Sequence, residues 1–309
     1  MDTMSIKRLG EPQIAALIGD AAFKRLKNRE RGGEANFKGN RFELLFGVHR
    51  VAELARDWLA TGKDHVIEWQ AGGVVDDYVI RHDETHSFNA YQLKNTQVVS
   101  WTNGNPSISD DFSLQYKLSE AEGYRTIGLQ LVCSNRDTAE ALKSSVPNAI
   151  SAYSSAAYFP YRDPLFPMLF EHPELWIDFA HLSKNEHPQK IEVQQVVSIL
   201  IGAWETAGPK AMVSEVFQWC RNTSPTIFRS ERSDEEAEAQ LLPELRATLQ
   251  GLPDFNFKIS RGFMRWVAMN GTTSGVLSFD CFSENFIGWQ KHIVALHPQS
   301  FEDIEGVLK

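Results

Sequence analysis

The sequence predicts a mixed α/β protein, and three observations carry that expectation. A long segment has apolar residues at helical spacing, three short alternating segments follow it, and a further helix leads into an almost continuously apolar strand. In "FELLFGVHRVAELARDWLA", residues 42 to 60, Leu44, Leu45, Val48, Val51, Leu54, Ala55 and Leu59 recur three or four apart, as one face of a helix does. The preceding "GGEANFKGN" reads as a loop, because paired glycines punctuate a chain.

After the turn-like "TGKD", the segment "HVIEWQ" alternates as a strand. A second glycine pair separates it from "VVDDYVIRH", a second strand; "DETH" turns the chain and "SFNAYQLKN" returns as a third. A polar loop, "TNGNPSISD", leads to a helix over residues 111 to 122, and "YRTIGLQLVCSN" reads as a buried fourth strand. "DTAEALKSSVPNAISAYSS" then reads as helix. Prolines crowd the aromatic stretch "YFPYRDPLFPMLFEHPELW", a composition shift that predicts a boundary between domains at residues 1–155 and 156–309. The second domain is expected to be mostly helical or mixed. "IEVQQVVSILIGAWETA" and "AMVSEVFQWCR" look helical, and "SDEEAEAQLLPELRATLQ" opens with an acidic turn after Ser233, a predicted N-cap. "FNFKIS", "FMRWVAM" and "VLSFDCF" read as strands and "SFEDIEGVLK" as a closing helix.

With 309 residues and 42% hydrophobic content, the chain has ample material for a core. Cys133, Cys220 and Cys281 stand far apart and odd in number, which suits a reducing compartment. No apolar run approaches the roughly 20 residues of a membrane span, and the start lacks a leader's apolar centre, so a cytoplasmic protein without a membrane partner is expected. Net charge is −9, yet residues 24 to 41 hold Lys24, Arg25, Lys27, Arg29, Arg31, Lys38 and Arg41 against Glu30 and Glu34. Such a segment either touches phosphates or forms a solvated face. Lys24, Arg25, Lys27, Lys38 and Arg41 are the candidate DNA contacts.

The chemistry-bearing residues lie on the strands. Side chains alternate along a strand, so Gln92 and Lys94 project together while Tyr91 and Leu93 go to the other side. A hairpin brings Asp76 or Asp77 beside them; only one belongs to the cluster, and Asp77 is preferred. A carboxylate holding a hard divalent cation needs further oxygen donors, which the Gln92 amide and the Leu93 carbonyl supply. Lys94 cannot ligate as an ammonium, so its task would be to sit beside a bound water and balance charge. Glu43 on the long helix restores the negative charge that glutamine lacks. The plain alternative is that these residues form the polar face of a half-exposed hairpin.

An acid on the first helix, an aspartate on the second strand and "Gln92-Leu93-Lys94" on the third resemble the PD-(D/E)xK, restriction-endonuclease-like superfamily in its QxK branch. The resemblance covers residues 37 to 135. "GNRFELLFGVHRVAELA", "HVIEWQAGGVVDDYVI" and "NAYQLKN" look most like the double-stranded-DNA endonuclease domains of bacterial anti-phage effectors of the CBASS and Lamassu type. The departures are Gln92 for an acid and a missing proline before Asp77. The resemblance implies a central mixed sheet flanked by helices and a site of Asp77, Gln92, Lys94 and Glu43, with Asp76 and Glu68 as secondary candidates. It further implies Mg²⁺ or Mn²⁺ as cofactor, double-stranded DNA as substrate, a homo-oligomer when active, and an SMC-like or ABC-type ATPase or sensor as partner. The competing expectation is a non-catalytic interaction subunit that docks such a partner.

Among other residues, His82 and His86 flank the hairpin turn and are expected to be solvated rather than metal-bound. Cys220 reads as a core thiol. Trp101 either packs on the sheet or stacks on a base, with packing favoured. Ser113 and Gln115 put a polar face at the start of the helix after the third strand, a candidate cleft wall. No glycine-rich phosphate loop is present.

Overall fold

The computed structural model describes Pro12, residues 20–71 and residues 73–308, with side chains from residue 39 onward. The chain is a mixed α/β protein. Helix α1 runs Asp20–Thr61, followed by strands β1 (Val66–Trp69), β2 (Tyr78–His82) and β3 (Ser87–Lys94), helix α2 (Ile108–Ala121), strand β4 (Thr126–Cys133), helix α3 (Arg136–Ser144) and strand β5 (Ser154–Tyr158). Helices α4 (Leu165–Phe170), α5 (Pro173–Leu182) and α6 (Lys190–Ala207) come next, then β6 (Lys210–Met212) and α7 (Val213–Thr223). Six strands make one sheet in the order β5-β4-β3-β2-β1-β6. The pairs β1–β2, β2–β3 and β1–β6 are antiparallel, and β3–β4 and β4–β5 are parallel.

Alternation along the strands sorts their side chains onto two covered faces. Tyr78, Ile80, Tyr91 and Leu93 enter the core formed with α1, α5, α6 and α7, together with Phe42, Phe46, Val51, Phe179, Trp204 and Phe217. Val79, Phe88, Ala90, Leu129 and Leu131 enter the core beneath α2 and α3, with Phe112 and Leu142. Helices therefore cover both faces, which is why β4 reads as a nearly continuous apolar run.

The remainder, α8 (Asp234–Glu238), α9 (Pro243–Gln250), β7 (Asn256–Ser260), β8 (Phe263–Ala268), β9 (Thr273–Val276) and α10 (Glu284–Leu296), builds a separate core around an antiparallel sheet β7-β8-β9. Ser233 caps α8 through a capping box with Glu236, as its sequence predicts. This unit is fastened to the first by Arg221, which pairs with Glu231 and with Asp280 at 2.7 Å. Arg261 Nη1 also donates to the carbonyls of Ser183 at 2.8 Å and Asn185 at 2.7 Å.

Several expectations are corrected. The predicted boundary at residue 155 falls inside β5, and β6 adds to the same sheet from residue 210, so the first core extends to Phe228. Its prolines are helix punctuation: Pro164 is the N-cap of α4 and Pro173 opens α5. The "GGEANFKGN" loop is part of α1. Residues 145 to 153 are turns, so the expected helix stops at Ser144. The third C-terminal strand is Thr273–Val276, so all but the first residue of the expected "VLSFDCF" strand lies outside it; α10 was not expected, and the closing helix is a single turn at Glu305–Val307. Among the described residues no helix is long and apolar enough to cross a membrane.

Candidate active site

The site forms where β2 and β3 part. β2 begins at Tyr78, so Asp76 and Asp77 precede the strand. The backbone nevertheless stays in register with β1, Gln70 N–H donating to Asp77 O at 3.2 Å and Ala71 N–H to Asp76 O at 3.0 Å. The chain bends at Val75 and Asp77, yet the Asp77 carboxylate reaches Gln92 on the sheet face whose core holds Val75 and Val79. Gln92 and Lys94 follow Phe88 and Ala90 onto the same face of β3.

The Asp77 carboxylate is the centre of the arrangement. Its Oδ2 accepts from Gln92 Nε2 at 2.5 Å and from Leu93 N–H at 2.6 Å. The N–H and C=O of one strand residue point to the same side. Lys94 O faces β4, accepting from Ser134 N–H at 3.2 Å, so the Leu93 carbonyl points with its N–H toward Asp77. Of the two aspartates, it is Asp77 whose carboxylate accepts from Gln92.

Glu43 comes from α1 and completes the group. Burial pushes its carboxyl above the ordinary carboxylate value, the Asp77 charge raises it further, Lys94 pulls it down and Asp76 raises it. Asp77 is likewise raised, first by burial and then by Asp76, against the lowering effects of the Leu93 N–H, Lys94 and Gln92. Asp111 on α2, which sequence reasoning missed, is raised by burial and by the charges of Asp110 and Asp76, with Lys94 opposing. Three raised carboxyls, Glu43, Asp77 and Asp111, therefore share the field of one ammonium, and the Asp76 charge acts on all three. That excess of negative charge, with two oxygen donors not belonging to acids, fits a divalent cation.

The loop carrying Asp77 is held by a residue with a different role than expected. Gln115 is buried, and its Oε1 accepts from Val74 N–H at 2.9 Å and Val75 N–H at 3.2 Å while Nε2 donates to Ser119 Oγ at 3.2 Å. It lines no cleft. Gly73 lets this approach happen, since a Cβ there would lie 2.7 Å from Gln115 Oε1. Gln115→Leu leaves two amide groups without their acceptor and is expected to cost about 1–3 kcal/mol in urea titration, with Gln115→Glu recovering part of the loss.

Other candidates lie elsewhere. Glu68 is not in the cluster: its carboxylate is taken by Arg81 and by Lys210 at 3.1 Å. Arg41 pairs with Asp163 at 2.7 Å. Lys24, Arg25, Lys27 and Lys38 lie on the α1 backbone but outside the residues whose side chains are described. His82 is buried rather than solvated, its Nδ1 meeting Thr85 Oγ1 at 2.9 Å, while His86 is exposed. Trp101 is a core residue, donating to Leu142 O at 2.9 Å, and Cys220 is a buried thiol pushed up to about 12 by burial.

Among the described residues, His49, Glu53 and Asp178 also bring ligand atoms together. There Arg50 pairs with Glu53 and Arg56 with Asp178, so the carboxylates already have cationic partners.

The chain matches no family model and no curated protein. Among solved structures it is similar to that of the Acinetobacter baumannii Cap4 SAVED/CARF-domain containing receptor with the cyclic trinucleotide 2'3'3'-cAAA. Sequence identity is 12%, the match covers 57% of this chain and 44% of that one, and the TM-score is 0.35. The chain thus spans less than half of the receptor's length, and an overlap this loose assigns neither fold nor function.

Proposed function

We propose that the protein is a metal-dependent endonuclease that hydrolyses phosphodiester bonds in double-stranded DNA. The observation that carries this reading is the Asp77 carboxylate bound to Gln92 and Leu93 N–H, with Glu43 and Lys94 within its electrostatic reach. Asp77, Glu43, the Gln92 amide oxygen and the Leu93 carbonyl would hold Mg²⁺ or Mn²⁺. When bound, the ion supplies Lewis-acid polarisation of a phosphate oxygen and a more acidic water.

The chain's own residues do the rest. Gln92 Nε2 and the Leu93 N–H fix Asp77 Oδ2, so the carboxylate is oriented before substrate arrives. Lys94, on the same face, positions the attacking water and offsets the charge that develops on the phosphate. Membership of the PD-(D/E)xK superfamily, a place as effector in anti-phage defence and activation by a partner ATPase, a sensor or assembly are all part of this proposal. They rest on the sequence resemblance. Cutting both strands requires two such sites, which favours a homo-oligomer.

The test is incubation of purified protein with plasmid in Mg²⁺ or Mn²⁺ beside an EDTA control and Asp77→Asn. Metal-dependent linearisation lost in the variant is the expected result; no metal binding in calorimetry sinks the proposal and leaves the non-catalytic subunit.

The raised carboxyls add a second expectation. A group with a higher pKa folded than unfolded holds its proton longer in the folded state, so its ionisation subtracts stability as pH rises through the folded value. Metal-free Asp77→Asn is therefore expected to melt above wild type at neutral pH, with the gain vanishing in acid. Protons should also compete with metal at pH values above the ordinary carboxylate range, visible as an early acid limb in the binding isotherms.

A further inference from the structure

A cavity of about 910 Å³ opens beside the candidate site, between the middle of α1, the end of β1 and the turn from α6 to β6. Glu43 is in its wall, so the cavity and the carboxylate cluster share one residue. Trp69 and Tyr78 are register partners across β1 and β2 and so lie side by side on the α1 face. Tyr78 is fully buried while Trp69 stays partly exposed. The remaining polar lining comes from Asn40, Arg41, Gln70 and Glu205.

These groups have a shared chemical meaning. A partly exposed indole offers a face for stacking, and the amides of Asn40 and Gln70 each present a donor and an acceptor to a heterocycle's edge. The volume is that of a small-molecule site and is far too confined for a duplex to enter, whereas one or two unstacked nucleotides fit. Bases inside a duplex show only their groove edges, so a cavity of this kind reads a base that has left the stack.

We infer that this cavity receives an unpaired base next to the phosphate that a cation on Glu43 and Asp77 would bind, so that the substrate class is DNA with unstacked nucleotides: frayed ends, flaps or bulges. The inference rests on the nuclease reading for the placement of the phosphate. Its test does not rest on cleavage.

The experiment measures fluorescence anisotropy of a labelled blunt duplex and of the same duplex bearing a three-nucleotide unpaired end, using the full chain with Lys94→Ala in Mg²⁺ to prevent turnover. The unpaired end is expected to bind about tenfold more tightly. Adding Trp69→Ala should abolish that difference and leave blunt-duplex binding unchanged, and Trp69→Phe should restore it. Equal affinity for the two probes, binding of neither, or a preference that survives Trp69→Ala overturns the inference. Plasmid cleavage by the wild-type protein reports separately on the nuclease reading, so either can fail without the other. Excess free deoxyadenosine monophosphate should compete only weakly; full competition would assign the cavity to a free nucleotide instead and overturn the inference.

Discussion

Replacing Lys94 by alanine is expected to lower metal-dependent DNA cleavage about 100-fold or more while leaving the melting temperature and DNA affinity close to wild type. Lys94 is the last residue of β3 and is itself only half-buried, and its backbone carbonyl is held by Ser134. Truncating its side chain therefore removes charge and donors without opening a core. A ground-state contact would show itself in KM, whereas a group acting on the developing phosphate charge shows itself in kcat. The pH profile separates the role further. Lys94 lowers the pKa of both Glu43 and Asp77, so without it both carboxyls hold protons to a higher pH. The acid limb of any residual activity should move upward. Lys94→Arg keeps the charge but spreads it over a planar fork, so it should recover the position of the acid limb and little of the rate. Unchanged kcat in Lys94→Ala would exclude the assigned role.

Gly47→Ala is expected to cost about 1–3 kcal/mol and to displace Glu43 from the cluster. A Cβ at Gly47 would lie 2.4 Å from the Tyr78 hydroxyl and 2.5 Å from two carbons of its ring. Tyr78 cannot give way, because it is fully buried and packs against Phe46 and Trp204. α1 must then lift from β2, and Glu43, one turn before Gly47, moves with it. Thermal melts should show the loss in stability, and calorimetry should show weakened metal binding. The decisive arm is a double-mutant cycle. In a Tyr78→Leu background the added methyl meets space instead of a ring, so Gly47→Ala should cost less there than in wild type. Equal cost in both backgrounds would mean that the close approach is not what Gly47 permits.

Much of the site could be read from the sequence because it obeys period-two alternation. Gln92 and Lys94 share a face, and the Asp77 carboxylate bonds to Gln92 and to the Leu93 N–H. Alternation held even where the strand does not, since two backbone bonds to β1 keep residues 76 and 77 on course. Glu68 was misassigned because nearness in sequence said nothing of Arg81 across the strand pair. Gln115 and Asp111 were illegible as site residues, since their roles depend on how α2 lies against the loop after β1. β5 escaped because "SSAAY" carries neither β-branched residues nor alternation, and its partner β4 supplies the reason for its extension. The glycine pair at residues 32 and 33 was read as a break although the helix continues through it.

β6 is three residues long, yet it fixes when the sheet can be finished. β1 pairs with β2 on one side and with Lys210–Met212 on the other. During synthesis, at roughly 5–20 residues per second, β1 thus waits several seconds with one row of amides and carbonyls bare. Val213 and Phe217, which seal the core beneath α1, arrive later still. A fragment ending near residue 155 would keep every group of the candidate site and still expose that strand edge and the underside of α1, so it is expected to self-associate rather than to work alone. The helices from α4 to α7 are part of the machinery that lets the cluster on β2 and β3 exist as a folded object.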